Sequence, residues 1–204
     1  MGFLPSSAPF GPFFVQKKNP GNVCCISVSG ISGISRARTY DLHDVKICQE
    51  FAVRNREIMT GLILKKTGMV GLESFHTIHN YIDTEEMILR KGAIAAHKGE
   101  RVLIPINMRD GSIIAIGRGN EEWNYSAPHG AGRLMSRKTA RDSLSLEEYK
   151  EAMKGIYTTT ANLETIDEAP MAYKRMEDII DVIRESVDIV EIIRPVYNFK
   201  AAEK

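Results

Sequence analysis

Residues 87–117, "MILRKGAIAAHKGERVLIPINMRDGSIIAIG", decide the architecture. Apolar residues come here in short runs, "MILRKG", "AIAAHKGE", "RVLIPI" and "SIIAIG", and the breaks between them carry Lys-Gly or Arg-Asp-Gly. Short isoleucine-rich runs bounded by turn residues read as strands joined by tight turns. A small, largely antiparallel sheet is expected.

Helical spacing takes over on both sides of this stretch. Upstream, "DLHDVKICQEFAVRNREIMTGLILKK" sets Val45, Cys48, Ala52, Ile58 and Leu62 at three- and four-residue intervals. Asp41 and Asp44 stand at the end where the helix dipole favours negative charge, and a long amphipathic helix is predicted. Downstream, Ser145 with Glu148 makes a capping box before "LEEYKEAMK", which stops at Gly155. A further helix is predicted from Met176 along a stripe of Met176, Ile179, Ile180, Ile183, Val187 and Val190, ended by Arg194-Pro195. The closing "VYNFK" reads as a strand that carries Lys200 to the end of the sheet. The expected class is α+β, a mixed, largely antiparallel sheet with packed helices. Residues 1–39, dense in Gly, Ser and Pro, read as an irregular leader, and residues 40–204 as the folded domain.

Length and composition narrow the function. A chain of 204 residues suits one compact domain. With 27 Lys+Arg against 26 Asp+Glu, no global field draws it to nucleic acid or to an acidic membrane, so any RNA or nucleotide site must be local. No apolar run approaches the length of a membrane span, and no membrane partner is expected. Cys24, Cys25 and Cys48 form an odd set without zinc spacing, and no charged n-region precedes an apolar core. A reducing cytoplasm is the expected location. Residues 1–6, "MGFLPS", match only a loose myristoylation pattern.

The chemistry concentrates in "SAPHGAGRLMSR", residues 126–137. Glycines at 130 and 132 let the backbone approach a ligand closely, and consecutive amides there can cradle an anion. His129 in that cradle can act as a nucleophile on phosphorus, a general base or a metal ligand, and a histidine held in a tight turn has the same sequence. In "SFHTIHN", His76 and His79 sit three apart, a spacing at which a helical turn would present both to one divalent metal; His79, with Asn80 beside it, is the better candidate. His97 is the one other histidine nearby in sequence. In "IPINMRDGS" the Gly111 bend would expose Asn107, Arg109, Asp110 and Ser112 to a base edge or phosphate, although a plain surface hairpin explains them nearly as well. Arg118, Arg133, Arg137, Lys138 and Arg141 form a local basic group suited to polyphosphate or an RNA backbone, or else a solvated face. Trp123 and Tyr125 offer stacking surface for a base, or packing for the loop.

Taken in order, "HNY", "RKGA", "IP…M…S", "GNEE", "SAPHGAGRLMSR", "PMAYK" and the final Arg-Pro strand ending in lysine resemble the C-terminal half of the RtcB-type RNA ligases, over roughly Asp41 to Lys200. The resemblance implies a GTP-dependent, manganese-dependent (Mn2+) ligase that joins RNA 3′-phosphate or 2′,3′-cyclic phosphate ends to 5′-hydroxyl ends, in tRNA splicing or RNA repair, with a helper protein as a further partner. It implies that His129 becomes guanylylated and that Gly130, Ala131 and Gly132 complete the loop. It makes His79 the manganese ligand, beside Asn80. Pro105, Ile106, Asn107, Met108 and Ser112 would hold the nucleotide, and Lys200 the guanine. Ile106 and Asn107 stand where the family commonly has glycine and serine. The family's other metal ligands belong to its N-terminal half, so a truncated fragment that at most binds nucleotide or RNA is the alternative, with an under-covered sheet as its structural corollary. A hydrolase built on "HTIH" is a third expectation.

Overall fold

The computed structural model describes residues 15–18, 24–27 and 36–200. The myristoylation pattern at residues 1–6 lies outside them, as do the side chains of Cys24 and Cys25. Within the expected leader, β1 (Val15–Lys18) and β2 (Cys24–Ser27) pair antiparallel. The long helix α1 (Arg36–Thr67) starts five residues before Asp41, so Asp41 and Asp44 fall in its second and third turns and its first turn carries no acid. Its expected apolar stripe is not buried: Ile58 is 62% and Leu62 52% exposed.

Two antiparallel sheets carry the centre of the molecule. In the first, β4 (Ile88–Ala95) is flanked on one edge by β3 (His79–Asp83), while β2 and then β7 (Ser126–Pro128) share the other edge. In the second, β6 (Gly111–Gly117) lies between β5 (Arg101–Asn107) and β9 (Val187–Ile193). The expected break at Lys91-Gly92 is absent. β4 runs straight through it, because Gly92 adopts φ +68 and its N–H is taken by the Asn80 side chain at 2.7 Å, where β3 shifts register. A glycine that reads as a turn instead lets the strand accommodate an irregularity.

Alternation along the strands builds the core. Val102, Ile104 and Ile106 on β5, with Ile113 and Ala115 on β6, are buried together with Ile94 and Ala127. The helix α4 (Met176–Ile183) closes this cluster with Ile179 and Ile183. Each such isoleucine contributes on the order of 1.5–3 kcal/mol on burial. The predicted helical stripe beyond Ile183 does not continue. Residues Val187–Ile193 pair antiparallel with β6, so the helix ends at a turn where the Ser186 N–H and hydroxyl both donate to the Ile183 carbonyl. Seven residues of which five are β-branched, placed beside an open sheet edge, become strand rather than helix. The outer side of β9 remains bare, with Val190 63% exposed.

A second, smaller core gathers Met108, Tyr149, Met153, Ile166 and Ala169. Two short helices pack there. α2 (Arg137–Ser143), not anticipated from sequence, is capped by Ser136, whose hydroxyl accepts from the Thr139 N–H at 3.0 Å. α3 (Leu146–Ala152) starts where expected, with Ser145 accepting from the Glu148 N–H at 3.1 Å. Finally β8 (Tyr157–Thr158) and β10 (Tyr197–Asn198) form a short parallel pair that turns the chain back toward residue 200.

Candidate functional site

His129 leaves the sheet at the end of β7, whose register sets Pro128 opposite Ala93 on β4. The His129 N–H points to the Gly92 carbonyl at 3.4 Å, and Ala131 donates to the Pro105 carbonyl at 3.1 Å. The loop is thereby pinned to both sheets. The imidazole lies over Gly92: a Cβ there would stand 3.7 Å from His129 Cε1 and Nδ1. His79, at the start of β3, stacks on the same ring with centroids 5.1 Å apart and planes 20° off parallel. Its pKa falls below the ordinary histidine value, chiefly through burial and then through the neighbouring charge of His129 and Arg56. A neutral His79 is the favoured state, which leaves a ring nitrogen able to accept.

On the other side of the loop opens a cavity of about 780 Å³. It is lined by Pro105 to Met108, Ser112, His129 to Gly132 and Lys200, so the structure brings together every expected nucleotide residue except His79 and Asn80, which adjoin it through His129 and Gly92. Ile106 and Met108 send their side chains into the two cores, 3% and 6% exposed, and offer a ligand their backbone. Asn107 is engaged in the turn: its Oδ1 accepts from the Arg109 and Asp110 N–H groups, and its Nδ2 donates to Asp110 at 2.8 Å. Arg109 pairs with Asp110 at 2.7 Å. The hairpin reading of this segment therefore holds for Arg109 and Asp110.

The floor of the cavity comes from residues that the sequence did not single out. Glu168 is buried and accepts from Tyr173 Oη at 2.6 Å and Lys200 Nζ at 3.0 Å, with Arg137 at 3.2 Å and Arg133 at 3.6 Å. Burial would push this carboxyl up, but the hydrogen bonds from Tyr173 and Lys200 and the charges of Lys200 and Arg137 outweigh it and hold the pKa below the usual glutamate value. Burial and the same carboxylate push the Tyr173 phenol up to about 12. Beside it the buried Asp167 meets Arg137 at 3.2 Å and Arg141 at 3.3 Å, and its backbone carbonyl accepts from Arg133. The signal was present in "TIDEAPMAYK", where two adjacent acids precede a proline. A pair of adjacent carboxylates nevertheless reads as surface.

Several expectations change accordingly. The basic group is no uniform positive patch, since Arg133, Arg137 and Arg141 are countered by Asp167 and Glu168. Arg118 lies apart from it, donating to the Arg184 carbonyl at 2.6 Å. Trp123 is 4% exposed and packs; it offers no face to a base. Tyr125 stacks on His97 at 5.3 Å, and His97 reaches Glu86 at 3.3 Å. His76 is exposed in irregular chain ahead of β3, so the histidine pair does not share a helical turn. Among the described residues no group of three or more His, Cys, Asp or Glu converges to hold a metal ion. His79 and His129 make a two-donor set, fewer than manganese requires. Among the same residues no helix is long and apolar enough to cross a membrane.

Comparison with known proteins converges on one family. The family profile described as "tRNA-splicing ligase RtcB" matches residues 31–201. An RNA-splicing ligase RtcB of Escherichia coli K12 is 35% identical over 169 residues, covering 74% of this chain and 40% of the relative. A tRNA-splicing ligase RtcB of Aeropyrum pernix is 36% identical over 142 residues, covering 55% of this chain and 29% of the relative. One from Archaeoglobus fulgidus reaches 39% over 93 residues, covering 43% and 19%. The chain thus spans about 40% of the length of the Escherichia coli relative.

Proposed function

The chain belongs to the tRNA-splicing ligase RtcB family, and from that premise we propose that it serves GTP-dependent RNA ligation, with His129 as the group that is guanylylated. The observation that carries the reading is the position of His129, on a glycine loop that forms one wall of a 780 Å³ cavity ending at Lys200. A cavity of that size suits a nucleotide. In this reading an imidazole nitrogen of His129 attacks the α-phosphorus of GTP, a phosphorus–nitrogen bond forms, and pyrophosphate leaves with the electrons of the broken bond. The backbone of Pro105 to Met108, with Ser112, holds the nucleoside. Lys200, steadied by Glu168, contacts the base, and Gly130 to Gly132 present amides to the phosphate. His79 and Asn80 keep the imidazole in place, His79 by stacking and Asn80 through Gly92. The RNA 3′-phosphate then takes GMP as the phosphorus–nitrogen bond breaks, and a 5′-hydroxyl attacks the activated phosphate, losing its proton as the phosphodiester forms and GMP leaves, in the cytoplasm and with a helper protein.

The described residues do not by themselves fit the manganese of the family, because His79 and His129 stand without a third donor. That observation favours a second reading, in which this chain binds nucleotide or RNA without being guanylylated. One experiment separates the two: incubation with α-labelled GTP and manganese, followed by a search for acid-labile label. Label on the wild type and none on His129→Ala supports the first. Its absence from folded protein that still binds GTP supports the second.

A further inference from the structure

The stack of His79 on His129 depends on three separate pieces of chain, and one fully buried side chain, Arg90 on β4, ties them together. Its guanidinium carries five N–H groups in a rigid fork. Each of them finds an acceptor. Nε donates to Ser126 Oγ at 3.0 Å, Nη1 to Tyr81 Oη at 3.0 Å and Asp83 Oδ2 at 3.4 Å, and Nη2 to Glu86 Oε2 at 3.3 Å and the Asn124 carbonyl at 3.5 Å. These partners belong to β3, to the turn between β3 and β4, and to the entry of β7.

The same partners sit just behind the two histidines. Tyr81 is two residues beyond His79, and Ser126 opens the strand that ends one residue before His129. Between them β4 is irregular: His79 faces Ile94 while Tyr81 faces Arg90, a step of four residues on β4 against two on β3. The excess contains Gly92, over which the His129 ring lies. The entry of β7 is strained as well. Asn124 and Tyr125 take φ +49 and +51, left-handed values that residues other than glycine rarely hold. Such a conformation persists only where its surroundings over-determine it. Arg90 grips this corner at both ends, through the Asn124 carbonyl and through Ser126, whose hydroxyl donates to that same carbonyl at 2.7 Å. The Ala96 N–H holds the middle, donating to the Tyr125 carbonyl at 2.7 Å. A lysine, with three donors on one nitrogen, cannot span these partners.

We propose that Arg90 is a positioning residue for the chemistry of His129. By clamping β3 and the corner of β7 onto the irregular stretch of β4, it sets the His129 imidazole against His79 and aims it into the nucleotide cavity. The assignment rests on the ligase reading given above. An attacking nitrogen displaced by about 1 Å loses roughly a hundredfold in rate, although the nucleotide still binds.

The test compares the full chain with Arg90→Lys, Ser126→Ala and Tyr81→Phe, the last two each removing one acceptor and leaving the arginine in place. Without manganese, the nuclear Overhauser contact between the His79 and His129 ring protons reports the stack. With α-labelled GTP and manganese, the maximal rate of labelling is separated from the GTP concentration that half-saturates it. Arg90→Lys should weaken the ring contact and lower the maximal rate by about ten- to a hundredfold, with half-saturation moved by less than about twofold. Ser126→Ala and Tyr81→Phe should act in the same direction by smaller factors, and they carry the test if Arg90→Lys does not fold. Folded variants that keep the ring contact and the maximal rate, or that lose only GTP affinity, overturn the proposal. A wild type that binds GTP and takes no label overturns the ligase reading instead. In that case a ring contact that survives in the variants overturns the placement of His129 by Arg90 on its own.

Discussion

Replacing Glu168 by Gln keeps the shape of the side chain and removes the one charge that the cavity floor is arranged around. The wild-type carboxylate accepts from Tyr173 at 2.6 Å and Lys200 at 3.0 Å and stands 3.2 Å from Arg137. A hydrogen bond to a charged group contributes about 1.5–3 kcal/mol and a neutral one about 0.5–1.5, so the shielded Tyr173 bond loses roughly 1 kcal/mol. Lys200 and Arg137 are 43% and 45% exposed, and water already screens much of their attraction to the carboxylate. Each of them forfeits roughly 0.5 kcal/mol. The sum, about 2 kcal/mol, lowers Tm by roughly 4–8 °C in a domain of this size. Acid should erase the difference. Because folding lowers the pKa of Glu168, its stabilisation is complete above the ordinary glutamate value and is lost as pH falls through the lower folded value. Calorimetric melts of both proteins from pH 7 to pH 3 measure this directly. A Tm gap under 2 °C at pH 7, or one that stays constant into acid, would refute the reasoning.

Three smaller perturbations probe the same neighbourhood. Ser136→Ala removes the cap of α2 and should cost about 1 kcal/mol, read as a Tm lower by roughly 2–4 °C. Gly92→Ala places a side chain at φ +68 beneath His129 and should cost about 1–2 kcal/mol, with the His129 ring resonances shifted in a proton–carbon NMR spectrum. His79 should titrate below the ordinary histidine value and move up toward it in His129→Ala, since His129 is among the causes of the shift. Its folding contribution is present above the unfolded histidine value and lost as pH falls, so an NMR titration that finds His79 protonating above that value sinks this point.

Elements whose physics is local could be read from the chain. The Ser145 cap and the turn at Gly111 each depend on residues within a few positions, whereas the His129 loop shows its glycines locally and takes its anchors from Gly92 and Pro105. Lys200 was also traceable, because Val196, Tyr197 and Phe199 give the segment ahead of it a β-branched and aromatic spelling, and β10 forms there. What escaped depends on distant partners. Residues 187–193 continue a helical spacing, and only the waiting edge of β6 makes them strand. Gly92 was mistaken for a turn because its compensating bond comes from Asn80, twelve residues earlier. Glu168 looked like solvent-facing charge until Arg133 and Arg137, more than thirty residues upstream, and Lys200, thirty-two residues downstream, closed around it. Asn107 showed its exposure to a ligand and not the two turn amides that occupy its oxygen.

The pairing of β10 with β8 has a consequence for how the site comes into being. Synthesis runs from the N-terminus toward the C-terminus, so the His129 loop is made some seventy residues before Lys200, and Glu168 must wait for one of its cations until β10 has been made. During that interval the nascent cavity lacks a wall and holds a carboxylate with fewer countercharges than it will have when folded. A nucleotide gripped between the loop and Lys200 would find no complete seat on a ribosome-bound chain. Competence for ligand then arrives only once the segment from Val196 to Lys200 has been made.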